Sequence, residues 1–149
     1  MAMAFDKGED FALDKPALHP CPNLSDSRCR IHDRLAERGF PGCARYDCLG
    51  AGQRVTQEIF RGQDWQNDAT LRRPMAEAFA NLRRLHKGLE LLQATQRLTL
   101  PPALATERAA LFDAFHPPQD WTAATLRDLA VTALETRLRT FLASLRAHV

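Results

Sequence analysis

The feature that most constrains this chain is a helical apolar stripe in its second half. Leu71, Met75, Phe79, Leu82, Leu85, Leu89 and Leu92 recur at three- and four-residue steps over 22 residues, the period of one buried face of an α-helix. Pro101-Pro102 interrupts the pattern and suits the first turn of another helix. That second helix carries Leu104, Ala110, Leu111 and Phe115 and stops at Pro117-Pro118. A third starts at Thr122 and carries Leu126, Leu129, Leu134, Leu138, Phe141, Leu142 and Leu145. Three amphipathic helices with short connections predict an antiparallel bundle over residues 63–149. The expected fold class is therefore mainly α, with residues 1–62 as a separate cysteine-bearing module of a short hairpin and short helices.

Within that module, Pro20 and Pro22 flank Cys21 and hold the backbone extended. Asn23 to Ser27 is turn-forming, so a hairpin with Cys21 on one arm and Cys29 on the other is expected. A short helix near Asp33–Arg38 should end at Gly39 and Pro41, and another should carry Val55, Ile59 and Phe60. Gln63-Asp64-Trp65 with Ala69-Thr70-Leu71-Arg72 is echoed by Gln119-Asp120-Trp121 with Ala124-Thr125-Leu126-Arg127. Both copies precede a helix. Shared helix-start chemistry, with Asp or Thr capping backbone N–H groups, accounts for the echo better than a duplication.

With 149 residues, a chain buries enough surface to fold without covalent staples. A net charge of +2 does not argue for nucleic acid or an anionic membrane. There is no apolar run long enough for a membrane span and no basic n-region followed by an apolar stretch near Met1. A cytoplasmic location is the expectation. Thiols are kept reduced there, which favours metal binding or redox chemistry over structural disulfides.

The chemistry-bearing residues are Cys21, Cys29, Cys43 and Cys48, spaced C-x7-C-x13-C-x4-C. Thiolates are soft, strong ligands, and four can complete a tetrahedral zinc site or hold an iron–sulfur cluster. The spacing lacks the C-x2-C knuckles of a strong zinc signature, so disulfides and free thiols stay open beside metal binding. His32, three residues after Cys29, and His19, two before Cys21, are candidate nitrogen ligands; each is also simply a polar side chain. His86 lies on the apolar stripe, where a buried, hydrogen-bonded histidine is commoner than a ligand or base. Gly50-Ala51-Gly52 is no phosphate loop, and no Ser–His–acid set stands out. No catalytic motif is recognised.

The strings Cys21-Pro-Asn-Leu24, Arg28-Cys29-Arg-Ile-His32 and Gly42-Cys43-Ala-Arg-Tyr-Asp-Cys48 match in order and spacing the N-terminal cysteine-rich region of a protein family. Over roughly the first 65 residues the chain resembles bacterial pentapeptide-repeat-containing proteins. It is more distantly similar to the cysteine-cluster family described as zinc- or iron-chelating. The resemblance implies that Cys21, Cys29, Cys43 and Cys48 bind metal. Two family features have no counterpart: a further cysteine group upstream of Ala4-Phe5, and the five-residue repeats that build a β-helix. A β-helix and its roles are not expected. The expected function is metal binding, zinc or iron, structural or in metal handling, on a helical scaffold. The alternative is a helical interaction or oligomerisation module whose cysteines are disulfide-bonded or free, with a second copy or a protein partner on the bundle.

Overall fold

A computed structural model describes residues 3–148, and it is mainly α. The elements are β1 (Leu24–Ser25), β2 (Arg28–Cys29), α1 (Pro41–Arg45), α2 (Ala51–Arg54), α3 (Arg72–Ala94), α4 (Pro102–Phe115), α5 (Ala123–Asp128) and α6 (Val131–Ser144). No helix among the described residues is long and apolar enough to cross a membrane.

The apolar stripe is the centre of the molecule. Met75, Leu82, Leu85 and Leu92 of α3 are buried, and they share one core with Leu111 and Phe115 of α4, Leu126 of α5, and Leu138 and Phe141 of α6. Helix α4 opens with Pro102 in its first turn, where a missing N–H costs nothing. The Arg108 guanidinium, on α4, donates to the Thr95 carbonyl at 2.7 Å, satisfying a carbonyl just beyond the C-terminus of α3.

Both helix starts of the sequence echo carry the expected caps. The Asp68 carboxylate accepts from Thr70 N at 2.9 Å, ahead of a 3-10 turn (Ala69–Leu71) that leads into α3. Thr122 and Thr125 cap each other at the start of α5. Trp65 and Trp121 both pack against the core, partly buried.

The third helix differs from its expected form. Leu126 to Leu145 does not form one helix: Leu129 is extended and Ala130 lies outside the helical region, which separates α5 from α6. The break frees the Leu126 carbonyl, and Asn81 of α3 donates to it at 2.9 Å. A tertiary hydrogen bond thus replaces a helical one, and α5 can lie on α3 at its own angle.

Between α3 and α6, Arg84 donates to both carboxylate oxygens of Glu135, at 2.8 and 2.5 Å, and to the Thr132 hydroxyl at 2.9 Å. These hydrogen bonds hold the Glu135 carboxyl below its ordinary pKa against the opposing effect of partial burial. A depressed carboxyl pKa adds stability above the ordinary carboxyl range, and that stability is lost as pH falls through the lowered value. Glu135→Gln should therefore cost about 0.5 kcal/mol at pH 7, because both partners are about one-third exposed, and the variant should lose less stability on acidification. Urea midpoints at pH 7 and pH 3 measure this; an identical pH response in the two proteins would exclude it.

The N-terminal segment forms its own small apolar cluster. Phe5 and Lys15 pair through two backbone hydrogen bonds, 3.0 and 2.8 Å. The Phe5 ring stacks on Phe11 at 4.3 Å and meets Phe40 edge-on at 6.4 Å. Phe11 also lies against Gly42, where a Cβ would come within 2.6 Å of the ring. The expected helix near Asp33–Arg38 is instead a 3-10 turn (His32–Arg34) and one further turn. It ends at Gly39, with Phe40 N donating to Leu35 O and Gly39 N to Ala36 O, the two bonds of a glycine-terminated helical stop. Helix α1 follows at once, with Pro41 in its first turn.

Helix α2 continues through a wider π turn (Val55–Ile59). Ala51, Val55 and Phe60 are buried in the same core as α3, so this stretch packs on the helical scaffold.

Candidate metal centre

Each cysteine is placed by a different local structure. The β1–β2 hairpin turns tightly at Asp26-Ser27, pairing Leu24 with Cys29; Asp26 takes the left-handed φ of +48° that such a turn uses and aspartate tolerates. Cys29 is thus on an arm of the hairpin, whereas Cys21 lies just before it. The Cys21 carbonyl accepts from Leu24 N at 2.9 Å, and Arg30 reaches back to the Pro22 carbonyl at 2.6 Å. Cys43 sits in the first turn of α1, one residue beyond the Gly42 that Phe11 packs on.

Lys15 links these parts. It is 5% exposed, and its ammonium donates to the carbonyls of Pro16 and His19 at 3.2 and 2.9 Å, lying 5.4 Å from the Phe5 ring centre. The loop leading into Cys21 is therefore tied to the Phe5–Phe11 stack that also positions α1. Burial lowers the Lys15 pKa, and the nearby Cys21 sulfur pushes it back up.

All four cysteines are free thiols. Three of them share one neighbourhood: the Cys43 thiol is pushed up first by burial and then by the charges of Cys21 and Cys29. The Cys21 and Cys29 sulfurs thus bear on the ionisation of Cys43. As the side chains stand, no group of three or more His, Cys, Asp or Glu among the described residues is disposed to hold a metal ion. Cys29 and Cys43 are exposed as residues and Cys21 is half-buried, although the Cys43 thiol itself is partly desolvated. The donor chemistry suits a thiophilic ion.

Cys48 has different surroundings. Its sulfur lies 3.8 Å from the Gln53 side-chain oxygen, in a loop clamped to α3. Arg83 donates to the Asp47 carbonyl at 3.1 Å and covers the Tyr46 ring at 5.0 Å. His86 bonds the Leu49 carbonyl at 2.6 Å through Nδ1, and its Nε2 lies 3.3 Å from Arg54. Arginine only donates, so Nε2 accepts and Nδ1 carries the hydrogen. His86 is thus a hydrogen-bonded scaffold residue, and its place on the apolar stripe already favoured that role. His32 is highly exposed and lies 3.5 Å from Asp33. His19 Nδ1 lies 3.0 Å from the Ala17 carbonyl.

Three participants were not marked by their sequence surroundings: Lys15, Asp10 and Arg45, the last two forming an exposed ion pair between the N-terminal loop and α1. The only local signal for α1 itself is Pro41.

No family model matches the chain, and no solved structure matches it. The chain is similar to the uncharacterized protein YybG of Bacillus subtilis (strain 168), with 36% identity over 114 residues. The match covers 76% of this chain and 41% of the relative, so the chain spans less than half the length of the curated protein it matches.

Proposed function

We propose that this chain binds a thiophilic metal ion, zinc or iron, through Cys21, Cys29 and Cys43, in a structural or metal-handling role on its helical scaffold. One observation carries this reading. Three thiols, from the loop before the hairpin, the hairpin and α1, lie close enough that the charges of Cys21 and Cys29 make Cys43 harder to ionise. A bound cation would relieve that repulsion and join the loop, the hairpin and α1. The same proposal takes the resemblance of the first 65 residues to the cysteine-cluster family as kinship, and places the protein in a reducing cytoplasm where the thiols stay available.

The test is metal content set against free-thiol count on one sample purified without chelator. One equivalent of zinc, with three thiols protected from a disulfide reagent and exposed again by chelator, is the expected result. Iron with visible charge-transfer absorption would assign an iron–sulfur centre instead. Substoichiometric zinc and iron with four reactive thiols would refute metal binding.

A further inference from the structure

We propose that residues 46–50 are a strained strap that fastens residues 3–45 to the helical scaffold, with Arg83 and His86 of α3 as its fasteners, and that unfastening lets residues 3–45 move as a unit. The device operates whatever the cysteines bind.

The two sides of the strap have separate apolar clusters. Among the described residues, no apolar side chain before Ala51 belongs to the scaffold core or packs against it. On the other side, Phe5, Phe11 and Phe40 form the aromatic cluster, and Arg45 of α1 pairs with Asp10. Beyond the strap, Gln66 donates to the Ser27 hydroxyl at the hairpin tip at 3.1 Å, in an exposed contact. A neutral hydrogen bond open to water adds little to a join. The placement of residues 3–45 on the scaffold therefore depends on the strap.

Two neighbouring turns of α3 hold it. Arg83 donates to the Asp47 carbonyl at 3.1 Å and covers the Tyr46 ring at 5.0 Å. One turn further on, His86 donates from Nδ1 to the Leu49 carbonyl at 2.6 Å. Arg54 of α2 lies 3.3 Å from the other ring nitrogen and pairs with Glu58 at 2.8 Å, so the ring is fixed from both sides.

Leu49 supplies the strain. Its φ of 53° is left-handed, where the Cβ of an L-residue crowds the next carbonyl; Gly50 follows at 76°, which glycine adopts freely. Leu49 stays there because both its backbone polar groups are tied, the N–H to the Asp47 carboxylate at 2.7 Å and the carbonyl to His86. A strained residue persists only while its surroundings over-determine it. Without His86, Leu49 relaxes to an ordinary φ, and that rotation redirects the whole chain on its N-terminal side. One residue with two backbone states gives residues 3–45 two dispositions.

Amide hydrogen exchange and 15N relaxation on the same samples test this. The reporters are the amides of Leu49 and of Ala51, which donates to the Cys48 carbonyl at 3.0 Å. In His86→Ala both should exchange about tenfold faster, the size of one lost hydrogen bond, and residues 3–45 should tumble faster than α3 and α4. Leu49→Gly alone, which leaves α3 untouched, should exchange more slowly than wild type. Combined with His86→Ala it should restore most of the lost protection, because glycine needs no fastener to stay left-handed. Unchanged exchange in His86→Ala, or equal acceleration throughout α3 and α4, would show that His86 does not fasten the strap. A double variant as loose as His86→Ala would remove the strain at Leu49 from the device. Residues 3–45 still tumbling with the scaffold in the combined Arg83→Ala and His86→Ala variant would refute the movement.

Discussion

Replacing Gly88 with alanine should destabilise the helical core by on the order of 2 kcal/mol, although glycine-to-alanine changes inside helices usually gain close to ~1 kcal/mol. Gly88 is buried on α3, and the Phe115 ring of α4 lies directly against its backbone. A Cβ there would overlap Cε1 of Phe115 and stand 2.5 Å from Cδ1 and 2.8 Å from Cζ. Phe115 is only 1% exposed and is surrounded by the leucines of the same core, so the ring has no open space to enter. Overpacking of this kind costs about 1–3 kcal/mol and occasionally more, which exceeds the propensity gain. For a chain of this size the expected loss in Tm is about 4–8 °C. Phe115→Leu should be destabilising alone, through a cavity, yet should relieve Gly88→Ala when the two are combined, because the changes act on one contact. Thermal melts of the two single variants and the double variant measure this. A Gly88→Ala protein as stable as the wild type, or a strictly additive double variant, would show that α3 and α4 are not packed through this glycine.

The same contact shows what could be read from residue order. The face of α3 was legible because leucines at steps of three and four leave no other economical folding, and Met75, Leu82, Leu85 and Leu92 are all buried as that pattern requires. Gly88 was not legible as a packing site, since its meaning depends on a ring 27 positions away that no local pattern connects to it. The break between α5 and α6 was hidden for a related reason. Leu129 and Ala130 are good helix formers, and the break is held by Asn81, which replaces the lost helical hydrogen bond across 45 positions. Thr122 and Asp68 were legible because capping is local, acting within three residues.

The cysteines divide along the same line. Spacing alone placed Cys43 and Cys48 together, four residues between them. Their surroundings are set by different partners: Cys43 by Phe11 packing on Gly42, and Cys48 by Arg83 and His86 of α3. The short stretch between them leaves α1 and becomes extended at Tyr46, which carries the chain from the aromatic cluster to the scaffold. Lys15 had no signal in the sequence, because a lysine between Asp14 and Pro16 looks like solvated surface; its burial comes from the backbone pairing of Phe5 with Lys15.

If Cys21, Cys29 and Cys43 bind zinc as proposed, the affinity should weaken steeply as pH falls. A ligand thiol must lose its proton to bind, and an ordinary protein thiol ionises near ~8.5, above neutral pH. Burial and the charges of two neighbouring sulfurs push Cys43 higher still. The sign follows from protons released: below the thiol pKa each ligand that ionises on binding frees one proton, so affinity drops about tenfold per pH unit for each. Cys43 alone sets a slope of at least one, and three thiols entering protonated set a slope approaching three, about a thousandfold per unit. Between pH 7.5 and 6.5, competition with a chromophoric chelator whose own pH dependence is known should show a fall between these limits. Proton release into weak buffer, read during the same titration, should agree with the slope. Cys43→Ser should lower the slope by about one as well as weakening binding, because it removes one titrating ligand. An affinity that is flat across this range would mean that no thiol ionises when zinc binds, and the ligands would then have to be sought outside the cysteines.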